Sequence, residues 1–386
     1  MGKMSRPVLA FLVLLAALAS PGFAGEPKAG AGPAHAKGIY LLVPRGKDME
    51  QLRKVIETPG VAGVSLSADW EEMEPEEGVF NWTALDAKIE RAAQMGKLIT
   101  LRIFPGISTP EWVYGKGARC FEFVDKNPFH GEEFYRRGHR HGTYGQTLKI
   151  PVPWDEAFLS SWEKFITAVG AHYKGTASIA MVHVTGPTRH SAEMHLPKTE
   201  VDKQKWLALG YTPRKLVRAW ERCIDAFASA FPGSAVVLNL SPVIFDDEVM
   251  ALTARYGYEK HGQRFWLQNN ILLADNKNMM RQDWEIIKEY SRLTPIGFQR
   301  GLLRLKRQEG LSRRERLQLR RDNFEGMFNH GFSLGAKYFE VGFTDVRDFP
   351  EVAQKASERL KGGSGVHPDP LHRGEETTDV NGPDAR

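Results

Sequence analysis

Three features of this sequence predict an α/β protein folded as a single (β/α)8 TIM barrel. Short apolar runs of the kind that form strands buried on both faces alternate with longer stretches of helical period, there are eight such runs, and no composition break interrupts residues 38–361. The candidate strands are residues 38–43, 61–66, 98–103, 179–184, 235–240, 264–268, 295–299 and 337–341. Helical patterns separate them at residues 48–57, 83–95, 157–173, 213–231, 247–256, 281–292 and 313–329. Asn81, Asp155 and Thr212 serve as start signals, and Gly96 and Gly233 as stops. A doubly wound open sheet is the competing architecture. It would normally carry a glycine-rich phosphate turn after the first strand, and Val43-Pro44-Arg45-Gly46 is not one.

The ends read differently from the middle. Residues 1–24 combine Lys3 and Arg6 with an almost unbroken apolar run and a small-residue site at Gly22-Phe23-Ala24, the pattern of a signal peptide that sends a protein out of the cytoplasm. The run is shorter than the roughly 20 residues of an ordinary membrane span, so no stable membrane insertion is expected after cleavage, and the product is expected to be secreted or periplasmic. Residues 25–37 form a linker rich in Gly, Ala, Pro and Lys, and residues 362–386 a polar tail expected to be disordered. The chain of 386 residues is 42% hydrophobic with a formal net charge of +5, which excludes disorder throughout. Its two cysteines, Cys120 and Cys223, are compatible with one disulfide or with two free thiols.

In a barrel, chemistry collects at the C-terminal ends of the strands. Most of the loops there are short. The exception, residues 104–154, reads as a long structureless loop and carries Trp112, Tyr114, Phe121, Phe123, Phe129, Phe134, Tyr135, Tyr144 and Trp154. These aromatic residues form either a stacking wall for sugar rings or a small core that packs the loop down.

The stretch Trp70-Glu71-Glu72-Met73-Glu74-Pro75-Glu76-Glu77-Gly78-Val79-Phe80-Asn81-Trp82, followed by Leu85-Asp86, resembles the pattern after the second strand of clan A glycoside hydrolases, in particular their β-galactosidase-like members. Pro105-Gly106 with Thr109-Pro110-Glu111-Trp112, and Ile150-Pro151-Val152-Pro153-Trp154-Asp155, are similar to further segments of those enzymes. The resemblance implies a hydrolase acting on O-glycosidic bonds, with a proton-donating Glu after the fourth strand and a nucleophilic Glu at the end of the seventh.

Carried over residue by residue, the pattern departs at both places. After the fourth strand the only loop carboxylate is Glu193, the candidate acid/base. The seventh strand ends in Gln299, and an amide cannot form a glycosyl ester. Glu340, on the eighth strand, is the candidate second carboxylate; the alternative is a structural Glu that holds an Arg such as Arg102. Expected sugar-binding groups are Asp69, Trp70, Arg102, Trp112, His183, Arg189, His190, Trp266, Gln268 and Gln299, the Trp rings as stacking platforms. A non-catalytic carbohydrate-binding barrel that has lost its nucleophile at Gln299 is the alternative function.

Other chemistries lack their signatures. His183, His190, Glu193 and His195 match no helical metal motif, so no metal and no cofactor are expected. There is neither a nucleophile elbow nor a phosphate-binding P-loop. The basic residues between 300 and 321 read as the solvated face of a helix, and a nucleic-acid partner is not expected. A second basic run, residues 136–141, lies within the long loop, where it is placed to meet an acidic sugar.

Overall fold

The computed structural model describes residues 36–127, 143–245, 248–275, 282–301 and 311–362. Eight parallel strands close into a barrel, in the order β1 (Gly38–Leu42), β10 (Tyr338–Gly342), β9 (Ile296–Arg300), β8 (Phe265–Leu272), β7 (Ala235–Leu240), β6 (Ile179–His183), β3 (Leu98–Phe104) and β2 (Val61–Asp69). All eight predicted strands are present, and closure rules out the open sheet. β4 (Cys120–Val124) and β5 (Thr147–Pro151) form a separate antiparallel pair.

Every residue of β6 and β7 is buried, as expected of strands that face side chains within the barrel and helices outside it. Two of the longer predicted helices start where their caps place them. Asp155 accepts hydrogen bonds from the amides of Ala157 and Phe158 ahead of Glu156–His172, and Thr212 accepts from Lys215 ahead of Pro213–Ala230. Asn81 does not cap: the residue before Thr83–Gln94 is Trp82, with no capping side chain.

Aromatic residues fill the lower interior of the barrel. Tyr40, Tyr338 and Trp266 pack with Ala180, Met181, Ala235 and Val237 into an inner cluster distinct from the main core. Gly297 makes room for one of these rings, since a Cβ there would lie 2.0 Å from Tyr338.

The long loop after β3 is not structureless. It holds a short turn at Gly106–Ser108, a helix at Glu111–Gly115 and the β4–β5 hairpin. Phe121 stacks on Trp206 with ring centroids 3.5 Å apart, and Trp154 packs against Trp206 and Tyr211. For these residues the small-core alternative is the one realised. Phe129, Phe134, Tyr135 and the basic run 136–141 lie outside the described residues, as do residues 1–35 and 363–386. Cys120 is exposed, Cys223 is buried, and both are free thiols. Among the described residues, no helix is long and apolar enough to cross a membrane.

Candidate active site

Successive inward-facing positions on the strands build a polar layer above the aromatic plug. Its centre is Glu340, which is 0% exposed. Ser65 Oγ donates to Glu340 Oε1 at 2.7 Å and Gln268 Nε2 donates to Oε2 at 2.8 Å, while His183 Nε2 lies 3.5 Å from Oε1. His183 bridges Thr100, at 2.7 Å, and Asn239, at 2.6 Å. Tyr338 Oη donates to Gln268 Oε1 at 2.5 Å from below. Burial by itself would raise the Glu340 pKa, but the Arg102 charge, His183 and the Ser65 hydrogen bond outweigh it and hold the carboxyl far below its ordinary range. Glu340 is therefore a buried, ionised and hydrogen-bonded carboxylate with no surface for an anomeric carbon to approach. The expectation that it replaces the missing nucleophile is corrected on that ground. Gln268 and His183, expected to bind sugar, hold this carboxylate instead, and both are fully buried.

One step outward the groups become partly accessible. Arg102, two residues beyond Thr100 on β3, donates from Nη1 to Gln299 Oε1 at 3.3 Å. Burial lowers the Arg102 pKa, while the charges of Glu340 and Glu193 act to raise it and that of Arg45 lowers it further. Arg102 thus feels both the buried carboxylate and the loop after β6. Asp69, at the end of β2, is ion-paired with Arg45 and lies 2.8 Å from His190 Nε2, which in turn is 3.1 Å from Ser108 Oγ. Against the upward push of burial, His190 and Arg45 keep the Asp69 carboxylate below its usual range; burial lowers the His190 pKa.

Glu193 is half-buried, and its segment pairs as an isolated bridge with Asn239 at the end of β7. Its carboxylate is 3.6 Å from His195 Nδ1. Arg189 points elsewhere, to Asp125 of the hairpin segment at 2.7 Å with its guanidinium over Phe123. Glu193, Gln299, Arg102, Asp69 and His190 are thus all positioned by the C-terminal ends of strands.

Trp70 and Trp266 have no exposed face to serve as stacking platforms. Trp70 is fully buried and stacks on Phe165, and Trp266 belongs to the aromatic plug. Trp112 is half-buried, set edge-on against Trp70, with its indole bonded to the Glu74 carbonyl at 3.1 Å. The stretch from Trp70 to Trp82 works as a buckle. Glu74 accepts from the Trp70 indole at 2.8 Å and from the Gly78 amide at 2.9 Å, and Trp82 stacks on His172, which Asp86 holds at 2.9 Å.

Sequence reasoning missed Arg45, Ser65, Thr100 and Asp125. Arg45 was legible only as part of a turn, and Asp125 only as one residue of the long loop. Ser65 and Thr100 carry the alternate-position signal of inward-facing strand residues, which apolar runs conceal. Among the described residues, no group of three or more His, Cys, Asp or Glu is arranged to hold a metal ion.

Residues 44–227 match the model of a glycoside hydrolase family described as beta-galactosidase. No curated protein matches the chain. Among solved structures, the catalytic domain of a β-amylase from Paenibacillus polymyxa superposes with a TM-score of 0.54 at 10% identity, covering 83% of this chain and 98% of that one. A xylanase 10B from Thermotoga petrophila RKU-1, solved with xylobiose, gives a TM-score of 0.50 at 12% identity, with 84% and 95% covered. At such identities the likeness is one of fold. The family match runs through the loop that carries Glu193, and with a closed barrel of eight parallel strands around it the chain is a (β/α)8 barrel that resembles clan A glycoside hydrolases over residues 44–227.

Proposed function

We propose that this chain is an exported glycoside hydrolase that cuts O-glycosidic bonds in an oligo- or polysaccharide, with Glu193 as proton donor. The observation that carries this reading is the position of Glu193, a partly accessible carboxylate in the loop after β6, anchored to the end of β7 and electrostatically coupled to Arg102. In its acid form it can protonate the glycosidic oxygen as the bond to the anomeric carbon breaks. An amide at Gln299 cannot form a glycosyl ester, so on this reading a water adds directly to the anomeric carbon and gives up its proton to solvent as Glu193 regains the one it donated. Export rests on the basic and apolar pattern of residues 1–24.

A second reading, a carbohydrate-binding barrel without hydrolysis, is favoured by Gln299 together with the burial of Glu340. Reducing-end release and direct binding, measured on one panel of neutral and acidic glycans, separate the two. For a hydrolase, Glu193→Gln lowers turnover by about 10²–10⁴-fold while binding persists. A wild-type protein that binds glycans without cutting any, and gains hydrolysis on Gln299→Glu, establishes the binding reading instead.

A further inference from the structure

Two cations at the strand ends, Arg45 and Arg102, each have part of their donor capacity unspent. Arg45 gives Nη1 to Asp69 and lies over the Phe104 ring, 5.0 Å from its centroid. Its Nη2 is buried and has no hydrogen-bond partner among the described residues. Arg102 gives Nη1 to Gln299, and its Nε is likewise buried and unpartnered. The two guanidinium groups repel one another. A buried donor left unsatisfied is costly, more so when it is charged, so two such donors on cations that feel each other's charge favour an acceptor that satisfies both.

The neighbouring anions do not fill that role. Both Asp69 oxygens are engaged, one by Arg45 and the other by His190. Glu340 spends its oxygens on Ser65 and Gln268 a layer below. The end of β9 offers Arg102 an amide oxygen where the clan pattern has a carboxylate. That replacement removes one negative charge from the cleft, and with it the repulsion an anionic substrate would meet.

We infer that the mouth takes a sugar bearing an anionic group, a carboxylate or a sulfate, bound by Arg102 and Arg45. Gln299 on this view is a specificity residue as well as a missing nucleophile. Planar guanidinium groups suit either oxyanion, since charge-assisted N–H···O bonds are shorter and stronger than neutral ones. The inference rests on the carbohydrate reading given above and names its substrate class.

Calorimetric titration of the full chain with tetragalacturonate, a κ-carrageenan tetrasaccharide and neutral galactotetraose tests it. One of the two anionic tetramers is expected to bind at least about tenfold tighter than the neutral one, with the gap shrinking as salt is added. The tetramer that wins identifies the group as carboxylate or sulfate. Arg45→Gln should narrow the gap between anionic and neutral ligands by about 10–100-fold. Gln299→Glu, which leaves the Arg45–Asp69 pair in place, should narrow it as well and carries the test if the first variant fails to fold. Equal or tighter binding of galactotetraose overturns the inference and leaves the glycosidase reading standing. Variants that weaken all three ligands equally also overturn it. A wild-type chain that binds none of these or any other glycan overturns both.

Discussion

The two halves of the barrel differ in kind. The half matched by the glycoside hydrolase family, residues 44–227, holds the Trp70–Glu74–Gly78 buckle and Glu193. The half beyond it supplies β7 to β10, with Gln299 at the end of β9 and Glu340 withdrawn into the interior. The most recognisable motif in the chain is scaffolding, because its Trp and Glu side chains bond to each other and to the backbone of their own loop. The residues that would decide the reaction lie where no motif announces them. Likeness of scaffold and likeness of chemistry are separate properties, and this chain keeps the first more fully than the second.

The contrast can be broken most forcefully at Glu340. Glu340→Leu leaves the Arg102 charge and the donors of Ser65 and Gln268 without their acceptor, and should cost about 3–5 kcal/mol in a urea unfolding titration. A change below about 1 kcal/mol would mean that the buried carboxylate is not what organises the second half. The same residue predicts a pH dependence. Its folded pKa is depressed below the ordinary 4.5, so its contribution to stability is fully present above about pH 4.5 and is lost as pH falls through the folded value. Stability measured between pH 6 and pH 3 should therefore fall towards acid, and more shallowly in Glu340→Leu; Asp69, shifted the same way, keeps part of the slope.

The buckle in the first half is a smaller lever. Glu74→Ala strands the Trp70 indole N–H and the Gly78 amide, which should cost about 1–3 kcal/mol without changing the pH profile of any glycan hydrolysis. A shifted profile would bring the motif into the chemistry. Smallest is Asp155→Ala, which removes the cap of the helix Glu156–His172 and should lower the melting midpoint by an amount equivalent to about 1 kcal/mol.

Much of the fold was legible because barrel strands are short apolar runs and their helices begin at polar caps, as Asp155 and Thr212 illustrate. The hairpin after β3 was not, because its strands are only five residues each, β4 alternating exposed and buried positions and β5 grading from exposed to buried without alternation. At the site, the sequence pointed to Glu193 and to the amide at Gln299 by position along the chain. It could not reveal that Glu340 is sealed off, because depth within a barrel depends on strand tilt and on which neighbours cross the interior. Nor could it separate Trp70 and Trp266 from stacking platforms, since a buried indole and an exposed one are spelled alike.

Gly106 adopts φ +71°, and a Cβ there would fall 1.7 Å from the Arg189 carbonyl, which already accepts a hydrogen bond from Ile107. The loop that bears Glu193 is in this way seated directly on the loop after β3. Insertions that reshape the rim through that long loop also shift the base on which Glu193 stands. For this chain, reshaping the rim and repositioning Glu193 are one evolutionary problem, and lineages that lengthen the rim have to keep the Gly106 contact intact or rebuild the support of the Glu193 loop.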